Sequence, residues 1–142
     1  MLAMSTVDVG VVIVNYNTQA LLKRCLESVL ASKGIAFEVC VVDNDSDDGS
    51  AAMVADEYPQ LYLIDNDQNV GYPAANNQGL RSLGFGAGVA SDAPRYALLL
   101  NADTEVPPDA LARTVAYADQ EAQVGVLGPK LVRPDGSLDL AC

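Results

Sequence analysis

The chain has 142 residues, half of them apolar, enough for one domain with a proper core. Nineteen acidic against eight basic residues leave a formal net charge of −11, which argues against binding nucleic acid or an anionic membrane, since either needs a basic face. Histidine is absent, so histidine bases, histidine metal sites and Ser–His or Cys–His nucleophile pairs are excluded, and acid–base chemistry falls to carboxylates.

Val7 to Val14 is almost continuously apolar and β-branched, the pattern of a strand buried on both faces. Asn15-Tyr-Asn-Thr18 interrupts it, with Asn17 or Thr18 placed to cap a helix. Leu21, Leu22, Cys25, Leu26, Val29 and Leu30 follow at helical spacing, and the helix is expected to end near Lys33-Gly34. Phe37 to Val42 reads as a second buried strand running into the acidic stretch Asp43-Asn-Asp-Ser-Asp-Asp-Gly-Ser50. A short helix from Ser50 to Tyr58, a third strand from Leu61 to Ile64 and a helix from Pro73 to Leu83 come next. Gly84 to Ser91 is glycine-rich and reads as a flexible loop. Tyr96 to Leu100 reads as a fourth strand, buried like the first two, Asp109 to Glu121 as a helix behind Pro107-Pro108, Val124 to Leu127 as a further strand, and Pro134-Asp-Gly136 as a turn. Strands alternating with helices predict βαβ units, a mainly parallel sheet and a single α/β domain over residues 1–142.

Cys25, Cys40 and Cys142 lack C-x-x-C spacing, and the first two fall on apolar elements as core thiols. No apolar run reaches the length of a membrane span and no basic region precedes the first one, so a soluble protein of a reducing compartment is expected.

Polar clusters follow each of the first four strands, and in a parallel sheet those ends lie along one edge, where ligands sit in open α/β folds. After the fourth strand, Asn101 and Asp103 stand at i and i+2, the same side of an extended segment, with oxygens that suit a hard cation such as Mg²⁺ or Mn²⁺. Taken alone, the pair reads more simply as a polar turn ahead of the next helix. The overall charge adds weight to the cation: like charges about 4 Å apart repel by about 4 kcal/mol at an effective dielectric of 20, so phosphates near this acidic chain call for a positive partner.

Asp43, the first residue after the second strand, offers an acceptor to the N3–H of uracil or thymine, or else caps its own loop; Asn44 to Asp48 read as loop-capping and solvated. Gly71 ahead of a helix lets backbone approach a phosphate or ribose, yet no Gly-Lys-Ser/Thr follows it. The alternating Gly84, Gly86 and Gly88 are no dinucleotide fingerprint, which disfavours an oxidoreductase. Asn76 and Asn77 are poor helix formers, pointing to caps, packing or a ligand, whereas Glu105 and Asp109 suit a helix N-terminus and Asp135 a turn.

Val12-Ile-Val-Asn-Tyr-Asn17, Val41-Val-Asp-Asn-Asp-Ser46 with Gly49-Ser50, Asn69-Val-Gly71 with Asn76-Asn77, and Leu99-Leu-Asn-Ala-Asp-Thr104 stand in an order that resembles the family 2 glycosyltransferases, most of all the bacterial rhamnosyltransferase-like branch. The resemblance spans about residues 9 to 136. It implies a GT-A fold and an enzyme of bacterial cell-wall polysaccharide synthesis, cytoplasmic or peripheral at the inner membrane face. It also implies a dTDP- or UDP-linked sugar donor, a saccharide or lipid-linked acceptor and a divalent cation. By similarity, Asn15 and Asn17 line the nucleotide pocket, Asp43 meets the pyrimidine, Gly71, Asn76 and Asn77 lie near the donor, and Asp103 is the metal-binding acid of a D-x-D. Asn101 replaces the first Asp of that motif, bringing an amide oxygen without charge.

The implied chemistry is an inverting displacement at the anomeric carbon, with a carboxylate as the acceptor's general base. The family's base lies beyond the motifs seen here, and no residue of this chain matches it. Expected, therefore, is a donor-binding part without its acceptor half, with a non-catalytic nucleotide-sugar-binding module as the alternative and pairing into a homodimer through exposed apolar surface. Sugar-nucleotide pyrophosphorylases rank last, because Asn15-Tyr-Asn-Thr18 replaces their glycine- and arginine-rich loop.

Overall fold

The computed structural model describes residues 7–88 and 92–139, so Cys142 and the last part of the Gly84 to Ser91 loop lie outside the described residues. Strand β1 (Val9–Asn15) is the spine of the molecule, and all but one of its seven residues are buried. Helix α1 (Gln19–Leu30) follows it, then β2 (Phe37–Asn44), α2 (Ser50–Glu57), β3 (Tyr62–Asn66), α3 (Tyr72–Ser82), β4 (Tyr96–Asn101) and α4 (Ala110–Gln120). All pairings are parallel and the strand order is β3-β2-β1-β4, so β1 is hydrogen-bonded on both sides.

Side chains alternate across a strand, and β1 uses both faces. Val9, Val11 and Ile13 join Val39 and Val41 in a core completed by Leu22, Leu26 and Val29 of α1, Val54 of α2, and Leu111 and Val115 of α4. Val12 joins Cys40 and Val42 on the other face, under Ala75 and Leu83. Cys25 and Cys40 are fully buried free thiols, as their places on apolar elements predict. Gly79 lets α3 lie close to the sheet: a Cβ there would stand 2.4 Å from Cγ1 of Val12.

The register decides where the polar clusters go. Asn15 lies opposite Asp43, Val14 opposite Asn101, Asp43 opposite Asp65 and Asn44 opposite Asn66, so the four carboxyl ends form one edge. Several boundaries differ from those read in the sequence. Strand β2 continues through Asp43 and Asn44, and β3 is displaced to Tyr62–Asn66, because ladder bonds to neighbouring strands hold backbone irrespective of side-chain polarity. Helix α1 stops at Leu30, since the Lys33 N–H donates to the Pro108 carbonyl instead of continuing the helix.

The strand expected over Val124 to Leu127 is absent. That run pairs with no strand among the described residues, and Val126 is 94% exposed, whereas the strand expected to be buried over Tyr96 to Leu100 forms but leaves Ala97 and Leu99 exposed. Only an isolated antiparallel bridge, Val132 with Leu138, forms in this region among the described residues, and it brackets the Pro134-Asp-Gly136 turn. Asp135 accepts from Ser137 there and is structural, as expected.

Candidate active site

At the β1–β2 end of the edge the polar side chains are enclosed. Asn15 and Asp43 are both fully buried. Asn15 Nδ2 donates to Asp43 Oδ2 at 2.8 Å and to Ser46 Oγ at 3.2 Å, while its Oδ1 accepts from the Thr18 hydroxyl at 2.7 Å. Asp43 also accepts the Ser46 N–H and hydroxyl, both at 2.9 Å, so both carboxyl oxygens are satisfied without a cation. Ser46 is the joint, since the Asn17 N–H donates to the same hydroxyl. Asn17 and Asp45 have left-handed backbones, φ 51° and 70°, in two facing loops that Asn17 Oδ1 links by accepting the Asp47 N–H.

The helix cap expected from Asn17 or Thr18 comes instead from Asp48. Thr18 holds the N-cap position of α1 but spends its hydroxyl on Asn15, and neither residue's side chain caps the helix. Asp48 Oδ2 accepts the Gln19 N–H at 2.8 Å while its Oδ1 accepts the Ser50 N–H at 3.0 Å, so one carboxylate serves the N-termini of α1 and α2. Asp48 is exposed, and the slight desolvation of its carboxyl opposes the ionised form, but hydrogen bonds from Ser50 and Gln19 prevail and hold it below its ordinary value. Asn44, expected to be a solvated loop residue, is 2% exposed. Its Oδ1 accepts from Val70 N–H and Asn66 Nδ2, and its Nδ2 donates to Asn69 Oδ1 at 2.9 Å.

Through that amide ladder β2 and β3 carry the start of α3. Asn69 Oδ1 accepts the Gly71 N–H at 3.0 Å, and Asn66 pairs with Gln78 in both directions. Gly71, at the N-cap, has φ 83° and ψ 157°, a conformation essentially restricted to glycine, and no side chain caps the helix there. Asn77 is exposed. Asn76 is 4% exposed; its Nδ2 donates to the Tyr72 carbonyl, and its Oδ1 is a buried acceptor without a partner.

At the β4 end Asn101 and Asp103 are both exposed, with buried Ala102 between them. The expected extended i, i+2 arrangement is replaced by a turn in which the Thr104 N–H donates to the Asn101 carbonyl at 3.1 Å. Tyr72, which no sequence signal marked, donates its hydroxyl to Asn101 Oδ1 at 2.9 Å. Asp103 makes no hydrogen bond or ion pair with the described residues. Below them, burial and then the charges of Asp103 and Glu105 push the Cys25 thiol up to about 12, too high for a thiolate nucleophile at neutral pH.

Among the described residues no three His, Cys, Asp or Glu side chains gather as a metal cage. The donor set is one open carboxylate and one neighbouring amide. It fits a hard cation held jointly with substrate phosphates, the usual way Mg²⁺ is bound, and does not fit a cation enclosed by protein alone. A cavity of about 330 Å³ opens elsewhere, among Leu30, Phe37, Glu38 and Tyr62, and includes none of the strand-end amides.

Residues 10–139 match the family described as Glycosyl transferase family 2. This chain belongs to the family 2 glycosyltransferases. Its relatives include the succinoglycan biosynthesis protein ExoO of Rhizobium meliloti, 36% identical over 91% of this chain and 35% of that protein. Another is the N-acetylglucosaminyl-diphospho-decaprenol L-rhamnosyltransferase of Mycobacterium tuberculosis, 30% identical over 90% of this chain and 42% of that protein. The chain thus spans less than half the length of either relative. Solved structures agree on the fold. The Pyrobaculum calidifontis mannosyltransferase PcManGT, determined with GDP-Man and Mn²⁺, superposes with a TM-score of 0.67 at 25% identity, covering 94% of this chain and 39% of that one. S. aureus TarS in complex with UDP-GlcNAc gives 0.66 at 21% identity, covering 89% and 37%. The glycosyltransferase fold expected from the motifs, GT-A, is the fold observed.

Proposed function

We propose that this domain binds a nucleotide-diphospho-sugar, dTDP- or UDP-linked, and presents the sugar for inverting transfer to a saccharide or lipid-linked acceptor. The observation that carries this reading is the single polar edge: four parallel strands end on Asn15, on Asp43 and Asn44, on Asn66 and on Asn101, with Asp103 exposed and unpaired beyond them. A lipid-linked acceptor draws support from the name of the mycobacterial relative. It would place the protein at the inner membrane face; no helix among the described residues is long and apolar enough to cross a membrane.

In this reading Asp103 holds Mg²⁺ or Mn²⁺ together with the donor's phosphates. When bound, the cation offsets the negative charge that grows on the departing diphosphate. The backbone after Gly71 offers the N-terminal N–H groups of α3 to phosphate or ribose oxygens, with Asn77 exposed alongside; the buried Asn76 Oδ1 meets a donor hydroxyl only when the start of α3 shifts to uncover it. Asp43 reaches a pyrimidine N3–H only when Ser46 gives up a hydrogen bond to it. Asn15 therefore acts by holding Asp43, and Asn17 by holding the loop that carries Ser46.

A second reading, a module that binds the donor without completing transfer, draws on Glu105. This carboxylate, the next along the chain from Asp103, stands in an exposed ion pair with Arg24 at 3.4 Å, and no residue of the chain matches the family's general base. Sugar transfer by the 142-residue chain would overturn that reading. The donor site itself is tested by calorimetric titration with UDP and dTDP, in Mn²⁺ and then in EDTA. Expected is binding that requires Mn²⁺ and weakens by at least roughly tenfold, or ~1.4 kcal/mol, in Asp103→Ala. Affinity indifferent to both changes would overturn the metal-assisted site.

A further inference from the structure

A side-chain amide turned end for end exchanges a donor for an acceptor, so its orientation is set only where a group of fixed polarity meets it. At the start of α3 two backbone N–H groups, which can only donate, supply that polarity. Val70 N–H donates to Asn44 Oδ1 at 3.0 Å, and Gly71 N–H donates to Asn69 Oδ1 at 3.0 Å. With both oxygens so fixed, Asn44 Nδ2 donates to Asn69 Oδ1 at 2.9 Å and Asn66 Nδ2 donates to Asn44 Oδ1. Asn66 and Gln78 close the chain with one bond in each direction. Asn44, 2% exposed, spends both ends of its amide on residues 69 and 70. It also adjoins Asp43, and alternation along β2 sends the two to opposite faces. Asp43 follows Val39 and Val41 toward the α1 side, whereas Asn44 follows Cys40 and Val42 toward α3.

Resting on the donor-site reading above, we propose that Asn44 is a positioning residue: through Asn69 it holds the Gly71 turn, and so the start of α3, at a fixed distance from Asp43. Two sides of the nucleotide site are then joined through adjacent residues of one strand. The link continues into the helix, because the Gly71 carbonyl accepts the Ala75 N–H at 3.1 Å, the first bond of α3. The chain of amides has a direction, which two isosteric changes expose. Asn44→Asp keeps an oxygen for Val70 N–H but turns a second oxygen toward Asn69. Asn69 must then either oppose one acceptor with another or turn its amide, which takes its oxygen off Gly71 N–H. Asn69→Asp keeps both of the bonds it accepts, since Asn69 enters the chain through Oδ1 alone.

The test compares Asn44→Asp with Asn69→Asp, two variants equal in added charge, in the 142-residue chain. Amide hydrogen exchange without nucleotide is the first readout. In Asn44→Asp the protection of Gly71 N–H is expected to fall roughly fivefold, the equivalent of one neutral hydrogen bond, while that of Val70 N–H changes less than about twofold. In Asn69→Asp both are expected to stay within about twofold. The second readout is titration of UDP with Mn²⁺ at about 0.5 M salt, which confines the added charge to a few ångströms. Asn44→Asp is expected to bind UDP roughly fivefold more weakly, and Asn69→Asp within about twofold of the unaltered chain. A merely structural role would expose both amides together or leave the UDP affinity of the folded protein untouched. Either result, or equal losses in the two variants, would overturn the positioning role. Should Asn44→Asp fail to fold, Asn69→Ala cuts the same link from its exposed end and is expected to show the same losses at Gly71 and for UDP; their absence would also overturn the role. If the unaltered chain binds neither UDP nor dTDP, the donor-site reading falls first and takes the role with it, an outcome told apart by the unaltered chain alone.

Discussion

Removing the Asn15 side chain would strand three hydroxyl or carboxyl groups at once. Asp43 would lose a donor inside a region with no solvent access, and Thr18 and Ser46 would each lose a partner. Asn15→Ala is therefore expected to destabilise the fold by about 1–3 kcal/mol, the cost of a buried polar group left unsatisfied, as read by urea unfolding. A change below about 0.5 kcal/mol would mean that water replaces the amide and that the pocket is more open than described. Residue type and position for Asn15, Asp43 and Asp103 were legible from the local pattern of strand followed by polar cluster. Their exposure was not. Asn15 and Asp43 are sealed whereas Asp103 is open, and no feature of the three local sequences separates them.

Helix α3 and the loop after β2 show how elements are tied to the edge. Gly79 faces Val12 so closely that a methyl group would overlap it, so Gly79→Ala is expected to cost about 1–3 kcal/mol by overpacking. Val12→Ala in the same chain is expected to recover part of that loss, a compensation that a pure helix-propensity effect would not give. Asp48 makes the second case. Its carboxyl is held below the ordinary value, so its contribution is complete above the unfolded-state value and is lost as pH falls through the lowered one. Unfolding of α1 and α2 followed by circular dichroism against pH should show that acid limb, and Asp48→Asn should flatten it. An unchanged limb would assign acid sensitivity to other carboxylates. The helices themselves were legible from spacing, but the capping of α1 was not, because its cap lies 29 residues away from Gln19 on another loop.

For the whole molecule the open features are the two edge strands, β3 paired only with β2 and β4 paired only with β1 among the described strands; β4 is the more apolar of the two. Leu99 on that strand is 48% exposed, and an unpaired apolar edge is a template for association. A homodimer in solution is the expected outcome by light scattering, lost when Leu99 is replaced by Lys; a clean monomer at high concentration would dismiss it. The acidic surface sets the terms of any such contact. With a net charge of −11, association should strengthen as salt screens the repulsion between copies.

The sequence by itself determined the succession of strands and helices, the parallel sheet that the succession requires, and the fact that polar clusters gather at one edge. Those are local matters of hydrophobic period and turn chemistry, to which the ordered motifs added the family. Only the tertiary structure decided which polar groups are spent and which are available. Strand order and register bring Asn15 to Asp43 across 28 residues and Tyr72 to Asn101 across 29, and each hydrogen bond so formed removes an atom from the set that can meet a ligand. Partners that distant in the chain are assigned by the sheet's pairing. No local pattern encodes them.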